Sequence, residues 1–494
     1  MDIKIKRERH LCYAAVLFLL TTMIQACTSS AQKLETTIQA GSGWKQLDSL
    51  LKDIVQPVFP DQDFNVVDFG AIGNGKADCS KAIKDAIEAC HKAGGGRVIF
   101  PAGKYYSGPI HLKSNVNLHL VKDATILFST NPDDYLPLVY TRWEGVELMN
   151  YSPLIYAFEQ ENIAITGEGT LDGCASAQNW WPWKGLPEYG WKPGTPNQKD
   201  SGNRPALFKM GEDDVPVKDR KFGKGYYLRP QFIQPYKCNN ILIDGVTIVN
   251  SPMWIIHPVL CENITVNNVR IDSDGPNTDG CDPESCKNVL IKDCYFNTGD
   301  DCIALKSGRN RDGRRINVPS ENVIIQNCTM ANGHGGIVIG SEISGGVRNV
   351  FAENCKMSSP LLDRAFRLKS SSKRGGITEN IWIRNIEVGQ VKEQAIMATM
   401  FYEDEGAFMP AFRNIEISNM RVKKGGNIGI VLEAYPTSKA NQIRLIDIQI
   451  DSVKYPYHLY NTQNVSFQNV KINGKIHNDA QNSNQKEIAI PIAR

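Results

Sequence analysis

Residues 288–294 read NVLIKDC, and the phrase returns as NVIIQNC at 322–328 and NVFAENC at 349–355. The form is Asn, then Ile or Val, any residue, an apolar residue, any residue, then Asn or Asp. It begins at Asn263, Asn288, Asn322, Asn349, Asn380, Asn414 and Asn464, with looser copies at Asn162 and Asn240. Between Asn240 and Asn414 the intervals run from 23 to 34 residues. Alternate positions stay apolar, as in NIWIRN from Asn380 to Asn385, which is the period of a strand with one buried face. The trailing Asn suits a turn, because it tolerates left-handed backbone and bonds its own main chain. One strand-turn-strand unit buries little, whereas stacked copies bury a continuous core. The sequence therefore predicts an all-β solenoid, a parallel β-helix in which each repeat makes one coil and equivalent residues lie about 4.8 Å apart along the axis. Leucine-rich repeats compete for such a pattern, but the Leu spacing is missing and the intervals vary too much. Cys294, Cys328 and Cys355 end three successive phrases and are expected to stack as small buried hydrophobes.

The chain has 494 residues, a length that repeat folds reach as one unit. At its start Lys4, Lys6, Arg7 and Arg9 precede LCYAAVLFLLTTMI, too short to span a bilayer comfortably, and residues 1–26 read as a signal peptide. The run closes on IQAC, the pattern of a bacterial lipobox, which makes Cys27 the expected lipid attachment site and the protein an exported lipoprotein, periplasmic or at the cell surface. Without those residues four basic and two acidic side chains are lost, so the formal charge falls from +2 to zero. A neutral chain argues against nucleic acid as a partner, and contact with a membrane is expected only through the lipid. The thirteen Cys form no CxxC pair and no metal pattern.

Residues 27–60 read as a linker with a short helix, whose stripe is Leu47, Leu50, Leu51, Ile54 and Val55. SKAIKDAIEACHKAGGG, opening at Ser80 as N-cap and stopping at Gly94, reads as a helix that closes the end of the solenoid. The coils should occupy 61–475, interrupted by a long excursion at 173–230 rich in Trp, Pro and Gly, with a polar tail at 476–494.

Chemistry enters where acidic residues fall in register. NTGDDCIALKSG, residues 297–308, holds Asp300 and Asp301 side by side, and Asp279 precedes Asp300 by 21 residues, close to the shortest interval. Stacked coils would bring these three carboxylates to one outer face. The next coil supplies His334 between glycines, and RAFRLKS supplies Arg367 and Lys369 on the same side of a strand. In regular strand Asp300 and Asp301 would point to opposite faces, so a coil corner near Gly299 is expected. Hydrolysing a glycosidic bond with inversion needs a protonated carboxyl by the leaving oxygen and an ionised one behind a water, roughly 6.5 to 9.5 Å apart. Crowding three carboxylates is one way to keep a proton near neutral pH.

The set NTDG (277–280), GDD (299–301), GHG (333–335) and RLK (367–369), in this order, resembles the polygalacturonases, glycoside hydrolase family 28. VDFGAIGNGKAD at 67–78 and GGGRVIFPAGKYYSGPIHLKS at 94–114 are similar to the family's N-terminal entry. The resemblance implies a right-handed β-helix. It implies Asp300 as general acid, Asp279 and Asp301 as the pair that activates water, and His334 near the acid. Arg367 and Lys369 would bind a galacturonate carboxylate, with Asn277 from the NTDG motif and Tyr402, through a looser match of AIMATMFY, also at the substrate. No cofactor or metal is implied.

Trp180, Trp181 and Trp183 in the excursion offer rings for sugar stacking or a small core beneath the loop. The excursion, GRNRDGRR at 308–315 and TRWEGVELMN at 141–150 resemble the insertions of exo-acting members, where loops wall off one end of the cleft. The expected activity is removal of α-linked galacturonic acid from pectin or oligogalacturonides, with attack on galacturonate linkages in rhamnogalacturonan as a variant. Two rivals are a pectate lyase, which normally needs calcium and a basic residue, and a carbohydrate-binding solenoid without catalysis.

Overall fold

The structure is a computed structural model that describes residues 41–478; the expected signal peptide, Cys27 and nearly all of the polar tail lie outside them. The chain divides into a unit of residues 1–45 and a unit of residues 46–494. The second is a right-handed parallel β-helix, the hand that right-twisted strands impose on parallel crossovers. One inward position shows the stack: Ile110, Ile155, Ile233, Ile256, Cys281, Ile303, Ile337, Phe366, Ile396, Ile430 and Tyr457 pair in parallel, coil upon coil. All but Tyr457 are buried, so the core is a continuous apolar column along the axis.

The repeated asparagines hold the register. From Asn115 through Asn162, Asn240, Asn263, Asn288, Asn322, Asn349 and Asn380 to Asn414, each side-chain amide donates to the carbonyl oxygen of the preceding one at 2.6 to 3.2 Å. Each has φ between 51° and 64°, the left-handed region that Asn adopts at little cost. The expectation assigned that backbone to the trailing residue of the phrase. The leading Asn adopts it too, so one corner of every coil is kept constant while other turns lengthen.

The helix Ser80–Lys92 buries Ala82, Ile83, Ala86, Ile87 and Cys90 against the first coils. Ser80 is its first residue and not its cap; its hydroxyl donates to Asp78 instead. The earlier helix, Leu47–Asp53, buries only Leu47, and Val55 is exposed, so its apolar stripe adds little to the core. Between the strands Thr170–Asp172 and Ile233–Tyr236 the chain leaves the stack through short turns and the helix Arg204–Glu212. Its strand Lys221–Phe222 extends the hairpin Val139–Trp143 and Val146–Asn150. Trp143, Val146, Leu148, Leu207, Phe222, Leu228, Met253 and Trp254 form a second core there, which fixes both insertions to the coils.

Candidate active site

The strand Tyr295–Thr298 ends one residue before Gly299, and the next begins at Ile303, so both aspartates sit in a corner. Freed from strand geometry, they diverge. Asp301 is 1% exposed and turns inward along the wall, while Asp300 stands at the rim of the cleft. Asp279 lies one coil earlier, where Gly280 N–H donates to Asp301 C=O at 2.9 Å. One oxygen from each of the three carboxyls lies within 4.8 Å of the others. That is closer than the expected 6.5 to 9.5 Å, because stacked coils set neighbouring positions about 4.8 Å apart.

Asp300 accepts hydrogen bonds from His334 Nδ1 at 3.0 Å and Asp301 N–H at 3.0 Å on Oδ1, and from Asn277 Nδ2 at 3.2 Å on Oδ2. Burial pushes its pKa up, but the His334 charge and hydrogen bond, then Lys369 and Lys184, hold it well below the usual carboxylate range. The Asp300 charge, helped by the hydrogen bond, raises His334 to about 9. At neutral pH the proton of this pair therefore resides on the imidazole. The glycines of GHG make the approach possible: Gly333 has φ of 148°, and a Cβ there would lie 2.4 Å from Asp300 O, while His334 N–H donates to that same oxygen.

Asp301 is gripped from the other side. Lys369 Nζ lies 2.6 Å from its Oδ2, and Arg367 Nη1 3.8 Å from Oδ1. Phe366 and Leu368 point into the core, so Arg367 and Lys369 point out of the same strand, as alternation requires. Tyr402 lies beneath both cations, its ring centroid 5.2 Å from the guanidinium and 5.1 Å from the ammonium. The two basic residues thus differ: Lys369 is committed to Asp301, whereas Arg367 makes only the longer ion contact.

Behind Asp279 lie groups that the sequence reading missed. Lys306 Nζ is 3.4 Å from Asp279, 3.7 Å from Asp282 and 3.4 Å from Glu342, and covers the face of Trp254. Burial raises Asp279 and Asp282 alike, each by crowding from neighbouring carboxyls as well. One ammonium shared among three carboxyls cannot keep all of them ionised. Asp282 is wholly buried with neither oxygen hydrogen-bonded, so it is pushed toward the protonated form together with Asp279. Lys306 was legible in principle, since it alternates outward with Ala304 between inward Ile303 and Leu305.

The excursion delivers the remaining site groups. Trp180 is 1% exposed and packs edge-on against Tyr135 and Trp183 in the main core, so it is an anchor and offers no face to a sugar. Burial won because its large apolar ring fits between the loop and the coils. Trp181 is half-buried, lays its ring on Gly275 and donates Nε1–H to Ser251 O at 3.0 Å. The turn that follows ends in Lys184, whose Nζ donates to Asn277 Oδ1 at 2.6 Å; the buried Arg229 donates to the same oxygen at 2.8 Å. Beyond them, charged bonds tie the insertions together: Arg204 to Glu144 at 2.8 Å, Arg309 to Glu342 at 3.0 Å and to Glu403 at 2.9 Å. These partners are 33 to 94 residues apart, and no sequence period links them.

Comparison with known proteins agrees with this geometry. The glycosyl hydrolases family 28 profile matches residues 220–487, and a profile described as rhamnogalacturonase A/epimerase, pectate lyase-like, matches residues 64–121. A crystal structure of a hyperthermoactive exopolygalacturonase from Thermotoga maritima is 46% identical, with a TM-score of 0.86 over 88% of this chain and 97% of that one. A probable polygalacturonase of Vitis vinifera is 29% identical over 402 residues, covering 78% of this chain and 74% of that protein. An exo-poly-alpha-D-galacturonosidase of Dickeya chrysanthemi is 28% identical over 392 residues, 73% of this chain and 62% of that protein. With the profile match running over more than half its length and through the whole acidic column, this chain belongs to glycosyl hydrolases family 28.

Proposed function

We propose that the protein is an exo-acting polygalacturonase that hydrolyses the α-linkage of a terminal galacturonate with inversion. The observation that carries this reading is the division of labour at the corner: Asp300 with a protonated His334 at the rim, Asp301 and Asp279 opposite, and insertions tied to one another by ion pairs, which on the exo reading wall off one end of the cleft. The Asp300–His334 pair holds one proton, which passes through Asp300 to the leaving glycosidic oxygen. Water attacks the anomeric carbon as that bond breaks, and its proton goes to Asp301. Asp279 Oδ1 and Asp301 Oδ1 accept no hydrogen bond among the described residues, leaving an acceptor on each to orient the water. Held by Lys369, Asp301 is a fixed base and a poor nucleophile. Arg367, free of a close carboxylate, receives the substrate's carboxylate by a forked contact.

Support for export is the basic-apolar run and IQAC, with Cys27 as the lipidated residue of a bacterial lipoprotein. Labelled fatty acid should enter the wild type and not Cys27→Ser. The enzymatic reading is tested on galacturonate oligomers of defined length: galacturonic acid should accumulate from the first time point at every length. An early spread of intermediate oligomers would instead show an open, endo-acting groove.

A further inference from the structure

Lys184 is a cation with no carboxylate in direct contact, Asp300 and Glu144 acting on it only at longer range. Its Nζ meets a neutral amide oxygen, Asn277 Oδ1, at 2.6 Å, and among the described residues no carboxylate oxygen lies within 4.0 Å of it. Arg229 ends on the same oxygen and otherwise on Pro252 O, Pro276 O and Gln198 Oε1, again without a carboxylate. Two cations facing one neutral oxygen in a poorly hydrated pocket are costly, and burial lowers the pKa of both. Arg229 is sealed from solvent; Lys184 is partly buried and lies beside Asn277, which bonds Asp300. A negative charge supplied from the cleft would complete the pocket.

The position says which charge. Asn277 stands in the coil before Asp300, and its other amide atom donates to Asp300 Oδ2. Arg367 stands two coils after Asp300, through Ala304 and Val338. The bond that is cut lies at Asp300, and a galacturonan carries one carboxylate on each sugar, one to either side. We propose that Lys184 receives the carboxylate of the terminal galacturonate, the sugar whose anomeric carbon is attacked, while Arg367 receives that of the sugar that leaves. The insertion that closes the cleft therefore also reads the acid at the chain end. The buried Trp180 anchors the turn that carries this lysine, and Arg229 fixes the Asn277 amide so that its NH2 stays on Asp300.

This inference rests on the exo reading. Its test uses digalacturonate and its two mono-methyl esters, esterified on either the terminal or the leaving sugar. Wild type should turn over both esters more slowly than the free acid. Lys184→Met should lower kcat/KM on the free acid by about ten- to a hundredfold and no longer discriminate against the terminal ester, while still discriminating against the other. Lys184→Arg should keep both preferences, and competitive inhibition by galacturonate, but not by galactose, should weaken in Lys184→Met; where turnover is too low to measure, calorimetric titration with galacturonate should show the same loss of binding. Retained discrimination against the terminal ester in Lys184→Met, or unchanged inhibition by galacturonate, would show that the carboxylate binds elsewhere and overturn this inference alone. A wild type that cleaves long chains but not digalacturonate would sink the exo reading and this inference with it.

Discussion

Nδ1 of His334 stands 3.0 Å from Oδ1 of Asp300, and the imidazole, half-exposed at the rim, owns the proton that the carboxyl must deliver. kcat/KM reports the free enzyme, so its alkaline limb should fall near pH 9, where this pair gives up its proton. In His334→Gln the proton must sit on Asp300 itself, and the limb should move toward acid. Stability follows the same linkage. His334 is raised in the folded state, so its contribution is complete below about pH 6.5 and lost as pH rises through about 9. An alkaline limb that stays near 9 in the variant would take the proton away from His334.

Asp300→Asn keeps the side-chain shape and removes the transferable proton. Turnover of natural oligomers should fall by about 10²–10⁴-fold, with part of the rate recovered on a substrate whose leaving group needs little protonation. Asp301→Asn and Asp279→Asn should stay slow on both substrates. Near-normal turnover by Asp300→Asn would remove it as the acid.

Arg367 and Lys369 should separate. Lys369→Met strands a buried Asp301 anion, so stability should drop by about 3–5 kcal/mol and kcat should fall with it. Arg367 makes no close hydrogen bond to that carboxylate, so Arg367→Met should mainly raise KM. Denaturant titration and initial rates read the two effects, and equal loss of stability in both variants would contradict the assignment.

The carboxyl spacing by itself does not choose between inversion and retention, since about 5 Å is the distance found in retaining enzymes. Proton NMR in early turnover decides: the β anomer should appear first. An α product would assign Asp301 or Asp279 the nucleophile's role.

Asp279, Asp300 and Asp301 already face Lys306, Lys369 and His334, so the protein itself supplies the local positive charge. Chelator should leave the rate unchanged, and the product should carry no ultraviolet-absorbing double bond. Calcium-dependent unsaturated product would move the chemistry to the lyase class.

The asparagine phrases announced the coils, and with them the register of the acidic column, because a parallel stack repeats whatever lies at one position every coil. Asp279, Asp300, His334 and Arg367 could be placed on one wall from spacing and alternation alone. Protonation could not be read this way. Proximity pointed to a proton on a crowded carboxyl, and burial with crowding does raise Asp279 and Asp282, but Asp300, the expected acid, is held low by His334. Nor does any period relate Lys184 and Arg229 to Asn277, or Glu144 to Arg204, since insertions leave the stack and return wherever their own small core seats them. The sequence offered Trp180 as a sugar platform or as part of a small core beneath the loop, and the fold decided for burial. Local alternation and repeat length determined the solenoid; desolvation and contacts across the chain, which exist only after folding, decided the charge states and the closed end of the cleft.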